Sequence, residues 1–157
     1  MRKVPVVAFV ARYYCPEQHT TFGLLPDFYA SRVPGTLDDI EHAAAQAEAS
    51  TSLEKAAEEL RPGDEPDAVT LGAAVAWVRL RVAWVRALLI TVAGLFPDLF
   101  AGVRPSVRAF RERLGTLRVL VALRGICAPY LYMLPLPLGL NPRMRWALTS
   151  GTSTNNP

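Results

Sequence analysis

Cys15 and His19, within Arg12-Tyr13-Tyr14-Cys15-Pro16-Glu17-Gln18-His19, are the one pair of residues whose types and spacing suit metal chemistry. A thiolate and an imidazole four positions apart could share a zinc ion, but a structural zinc site closes with four ligands. The remaining cysteine, Cys127, lies far along the chain, and the remaining histidine, His42, sits on a predicted helix. Two ligands from one knuckle do not hold a structural ion. No cofactor is therefore expected, and the plain reading is a partly buried cysteine in a hairpin turn beside an exposed histidine. A nucleophilic Cys15–His19 pair would need an orienting third group and an oxyanion hole, and nothing marks either. The sequence has no Gly-rich phosphate loop, Gly-x-Ser-x-Gly elbow or paired-His metal helix. Its acidic residues fall mostly on solvated faces of short helices, not in a group that would hold catalytic metal ions. The chain reads as non-catalytic.

Arginine is the other residue type with chemistry to offer. Residues 1–66 hold six Lys or Arg against eleven Asp or Glu, whereas residues 67–157 hold eleven against three, and all eleven are arginine. The planar guanidinium fork suits phosphate and carboxylate alike. Arg79, Arg81, Arg108 and Arg111 are the candidates for DNA backbone contacts, which would make binding salt-dependent. Arg104, Arg108, Arg111 and Arg118 share a flanking face of a predicted helix. That face could equally pair with the acidic helices of residues 38–59.

The elements that must carry these groups are legible. Residues 4–14 are β-branched and aromatic, and residues 20–25 can supply a returning strand, so a hairpin is expected with Cys15–His19 as its turn. Met1 to Ala11 faintly imitates a signal peptide, but the apolar run is short and no small-x-small cleavage site follows; a strand is the better account. Thr36 is a suitable N-cap, with Asp38 and Asp39 in the first turn. Thr51-Ser52 with Glu54 starts a second helix over Leu53–Leu60, stopping at Arg61-Pro62-Gly63. Residues 62–68 form a polar linker.

From Thr70 the stripe Leu71, Val75, Val78, Val82, Val85 and Leu89 predicts a long helix. A second stripe, Ala74, Trp77, Arg81, Trp84 and Leu88, runs beside it, as on a central helix. This helix ends near Gly94 or before Pro97. Pro105-Ser106 opens a further helix with the stripe Val107, Phe110, Leu114, Leu117 and Val121, stopped by Gly125. Pro129 to Leu138 is apolar but broken by proline, and residues 149–157 form a polar, disordered end. The run Ala87–Val103, interrupted by Gly94, Pro97 and Asp98, falls well short of the roughly 20 residues of a membrane span. Two cysteines without repeated spacing make no disulfide framework, which points to a reducing cytoplasm.

The helices Leu53–Leu60 and Thr70–Arg86 have the outline of a helix-turn-helix. The connection Arg61–Val69 is longer than the usual three or four residues. Gly72, Ala73 and Ala76, in the exposed first turns of the second helix, cannot read a base edge by hydrogen bonding. An ordinary pair of bundle helices fits as well.

Arg12-Tyr13-Tyr14-Cys15 with Thr21-Phe22-Gly23-Leu24-Leu25-Pro26-Asp27-Phe28 resembles the end of the zinc-ribbon region in a bacterial family of unknown function associated with transposases. The Leu53–Leu60 and Trp77-Val78-Arg79 pattern is similar to the helical part of such proteins, so the resemblance spans residues 12–90. It implies a Cys-x-x-Cys…Cys-x-x-Cys ribbon joined to a helix-turn-helix, as found in mobile elements. Here the first Cys pair is absent, only Cys15 matches directly, and His19 stands in place of a second knuckle cysteine.

The expected fold is mainly α: a small helical bundle with a helix-turn-helix-like pair and a short N-terminal β-hairpin. Three regions follow: a hairpin over 1–35, a helical domain over 36–126, and a Pro-rich and polar tail over 127–157. The expected role is a non-catalytic, transposase-related DNA-binding module or its remnant. The alternative is a helical protein-interaction, homo-oligomeric or membrane-peripheral protein whose stripes partly face a partner.

Overall fold

The computed structural model describes residues 11–23, 25–61 and 69–140. It is mainly helical with a short antiparallel hairpin at its N-terminal end, as the periodicities predict. Strands β1 (Arg12–Cys15) and β2 (Thr20–Gly23) pair from Arg12 opposite Gly23 to Cys15 opposite Thr20. His19 closes the turn with φ 49°, a left-handed conformation that histidine tolerates better than most side chains. Tyr13 and Tyr14 are exposed, so the hairpin stands off the core. The expected first part of its leading strand, the linker at 62–68 and the polar end at 149–157 lie outside the described residues.

Six helices follow among the described residues: α1 (Leu37–Ala49), α2 (Leu53–Leu60), α3 (Leu71–Leu95), α4 (Pro97–Phe100), α5 (Val107–Leu114) and α6 (Val119–Ile126). Four begin at hydroxyl caps. Thr36, Ser52, Thr70 and Ser106 accept hydrogen bonds from the N–H groups of Asp39, Lys55, Ala73 and Ala109 at 3.1–3.3 Å. Each satisfies an N–H with no intrahelical partner, worth about 1 kcal/mol. α3 stops at Leu95, just before the proline that opens α4.

The single helix expected from Pro105 to Gly125 is two helices. Gly115 takes φ 64° and its N–H donates to the Arg111 carbonyl, closing α5. Glycine enters this left-handed conformation without the Cβ penalty of other residues. The chain restarts at Val119, where the Glu41 side chain accepts from Leu120 N at 2.9 Å. A carboxylate from another helix thus satisfies a donor in the first turn of α6. The break explains why Leu117, placed on the continuous stripe, is 77% exposed.

The core forms between α1, α3, α5 and α6. Leu37 and Ile40 meet Val85, Leu88, Leu89 and Val92 of α3. Phe100 and Phe110 stack with ring centroids 4.6 Å apart. The proline-broken segment after Cys127 is part of this core, since Leu134 and Leu138 are fully buried in it. Arg124 fastens the N-terminal approach to the same region. Its Nη1 donates to the Asp27 carbonyl at 2.9 Å and its Nη2 to Ser31 Oγ at 3.0 Å. No described helix is long and apolar enough to cross a membrane.

Candidate binding surfaces on the long helix

Carboxylates of α1 occupy much of the predicted arginine face. Arg111 donates to Glu41 Oε1 from Nε at 3.2 Å and from Nη2 at 2.9 Å. Arg118 forms a two-pronged pair with Asp38 at 3.0 and 2.7 Å, and Asp38 is the chief reason the Arg118 pKa is raised. Arg108 reaches Glu112 one turn on, in an exposed pair. Glu48 accepts from the backbone N–H groups of Val107 and Arg108 at 2.7 and 3.2 Å, placing negative charge at the positive end of α5. The acidic first half and the basic second half therefore meet inside one molecule along α1.

Of the four arginines expected to touch DNA, Arg79 and Arg108 face solvent. Arg111 is held by Glu41, and Arg81 is turned inward with 7% of its surface exposed. The reason lies in Trp77 and Trp84, at i−4 and i+3 on the same face of α3. The Arg81 guanidinium carbon sits 3.9 Å from the Trp77 ring centroid and 5.3 Å from that of Trp84. Its Nη1 donates to the Trp77 carbonyl at 3.3 Å, while buried Nε has no partner among the described residues. Burial pulls the Arg81 pKa down. Desolvating a cation costs several kcal/mol, and a ring contact offsets about 2 kcal/mol of that.

Arg81 lines a groove of about 980 Å³ between α1, α2 and the first half of α3. Ile40, Ala57, Leu60, Ala74 and Val78 supply apolar wall, whereas Asp39, His42 and Glu59 bring polar groups to it. His42 and Trp77 were legible as a lone histidine and an aromatic stripe, but nothing in the sequence places them on one groove.

A second surface lies on the opposite side of α3. Ala76, Leu80, Ala83, Ala87, Ile90 and Gly94 follow spacings of four, three, four, three and four. All are exposed except half-buried Ala87, with Leu80 at 43% and Ile90 at 52%. Leu80, Ala87 and Gly94 take heptad position a, and Ala76, Ala83 and Ile90 take d, so Arg79 and Arg86 both fall at g. The signal was present in the sequence but was hidden behind two bulkier stripes on the same helix.

The other sequence candidates stay apart. Cys15 is the last residue of β1 rather than part of the turn, which His19 closes, with the Tyr14 hydroxyl 3.0 Å from His19 Nδ1. Among the described residues no three His, Cys, Asp or Glu side chains gather as metal ligands. Cys127 is buried in the core, where desolvation pushes its thiol pKa up to about 11. Such a thiol is neutral at physiological pH and a poor nucleophile. α2 packs on α3 with Ala56 and Ala57 buried, and the first turn of α3 presents Leu71, Gly72 and Ala73 outward. Neither a scan of protein-family models nor searches of curated proteins and of solved structures return a match for this chain.

Proposed function

We propose that this chain is a non-catalytic helical interaction module that lays the outward face of α3 against an acidic amphipathic helix of a protein partner. The observation that carries this reading is the apolar a/d seam of α3, left largely uncovered by the described residues over five turns and edged by Arg79 and Arg86. A seam of alternating small and large residues accepts the knobs of a facing helix. The edge charges select against a second copy. In antiparallel pairing, Arg79 would face Arg86 of the other copy; in parallel pairing, Arg79 would face Trp84. Glutamates at the e or g positions of a different helix satisfy both arginines.

The test is a fluorescence-anisotropy titration with two designed helical peptides that share a Leu/Ile seam and carry Glu or Lys at e and g. The acidic peptide is expected to bind at least about tenfold tighter, the equivalent of about 1.4 kcal/mol. The Leu80→Glu/Ile90→Glu variant should lose that binding while melting like wild type, since both side chains are exposed. Equal binding of the two peptides refutes the charge selection, and acidic-peptide binding undiminished in the variant refutes the seam.

DNA binding by a transposase-related module is the second reading, supported by a different observation. Arg86 and Arg104 line one cleft beside the start of α5, with Arg108 exposed on the next turn. Contacts with two or three phosphates would give a log–log salt slope of roughly −2 to −3. Titration of labelled duplex DNA at two salt concentrations checks this, and affinity indifferent to salt defeats it.

A further inference from the structure

The geometry points to a binding site for a small amphiphilic carboxylate in the groove between α1, α2 and α3, with Arg81 as its anion receptor. Arg81 is more than nine-tenths buried, lines the groove and keeps a buried Nε–H without a partner among the described residues. Its one hydrogen bond among the described residues goes to a backbone carbonyl at 3.3 Å. Every other buried or half-buried arginine whose bonds are described is matched to oxygen acceptors: Arg61 to Glu58, Arg111 to Glu41, and Arg124 to Asp27, Pro26 and Ser31. Arg81 instead rests against Trp77, its guanidinium carbon 3.9 Å from the ring centroid, with no carboxylate partner among the described residues. A carboxylate entering the groove would give the guanidinium the charge-assisted N–H···O bonds that it lacks.

The rest of the groove defines the body of the ligand. Ile40, Leu60, Val69 and Val78 form an apolar wall, and about 980 Å³ is at the upper end of the range for small-molecule sites. Asp39 and Glu59 balance Arg61 and Arg81 among the groove's lining residues, which leaves no surplus positive charge for a phosphate dianion and favours a singly charged head. An alkyl or aryl monocarboxylate meets all three conditions. This site lies across α3 from the seam and does not depend on it.

Tryptophan fluorescence reads occupancy, because Trp77 contacts the receptor. The probes are octanoate, methyl octanoate, octylamine and inorganic phosphate, titrated into the full chain. Octanoate is expected to give a saturable change at least tenfold tighter than the other three. The Arg81→Met variant, which keeps the stem and loses the fork, should weaken octanoate by tenfold or more. The Leu80→Glu/Ile90→Glu variant should bind octanoate as wild type does, so loss of the peptide seam and loss of this site are separable. Ester or amine binding as tightly as the acid overturns the receptor role of Arg81, and so does octanoate binding unchanged in Arg81→Met. Phosphate binding as tightly as octanoate overturns the apolar-body assignment. A wild-type chain that gives no saturable response to octanoate overturns the site, whether or not the variant folds.

Discussion

Replacing Glu41 with alanine is expected to destabilise the protein by about 3 kcal/mol, the lower end of the range for breaking a buried ion pair. Glu41 is 2% exposed, yet both carboxylate oxygens are engaged. Oε1 accepts two bonds from Arg111, 70 positions away, and Oε2 accepts the Leu120 N–H, 79 positions away. One side chain of α1 therefore clamps the end of α5 to the start of α6. Truncation leaves the buried Leu120 N–H unpaired, at about 1–3 kcal/mol. Arg111 loses its partner too, but its side chain is one-third exposed and can turn to water, which keeps the total near the low end. For a chain of this length the melting point should fall by roughly 6–12 °C. Glu41→Gln retains one good acceptor and should cost about half as much. Melts followed by circular dichroism decide the matter: an alanine variant within about 2 °C of wild type would mean the clamp contributes almost nothing.

That clamp also marks where the sequence stops being legible. The caps at Thr36, Ser52, Thr70 and Ser106 could be placed because a cap is local: a hydroxyl acts on an N–H three residues on. The buried faces of α3 could be placed because helical periodicity is local too. Glu41 looked like one acid among several on a solvated face, since its partners lie 70 and 79 residues downstream. Gly115 failed for the opposite reason. The stripe runs on through it in sequence, and periodicity outvoted a glycine that a helix tolerates for about 1 kcal/mol. The acceptor that rewards a restart at Val119 belongs to another helix.

Arg81 is instructive in a different way. Its place between Trp77 and Trp84 on the second stripe was visible in the sequence, yet its charge suggested an outward phosphate contact. Aromatic neighbours at i−4 and i+3 outweighed that preference by giving the guanidinium two rings to lie against. The pairing of an acidic first half with a basic second half was one of two readings of the charge split. Asp38, Glu41 and Glu48 settle it for Arg118, Arg111 and the start of α5.

Gly139→Ala is expected to cost about 3–6 kcal/mol, the scale of releasing two buried leucines. A Cβ at position 139 would overlap the Leu134 carbonyl and come within 2.9 Å of Pro135 O, and both are backbone atoms with no rotamer to yield. The turn is held by Gly139 N donating to Pro135 O at 2.8 Å and Leu140 N to Leu131 O at 3.0 Å. It sets Leu134 and Leu138 into the core, and Pro137 O takes the Ser31 N–H at 2.8 Å. Opening it loosens this segment and the Ser31 strap that Arg124 anchors. Gly125→Ala is the control: it lies inside α6 with nothing within 4 Å of a new Cβ, so alanine should be neutral or stabilise by up to about 1 kcal/mol. The contrast isolates steric need from helix propensity. If both variants melt alike, the segment after Cys127 does not hold the core closed, and the bundle rests on its helices alone.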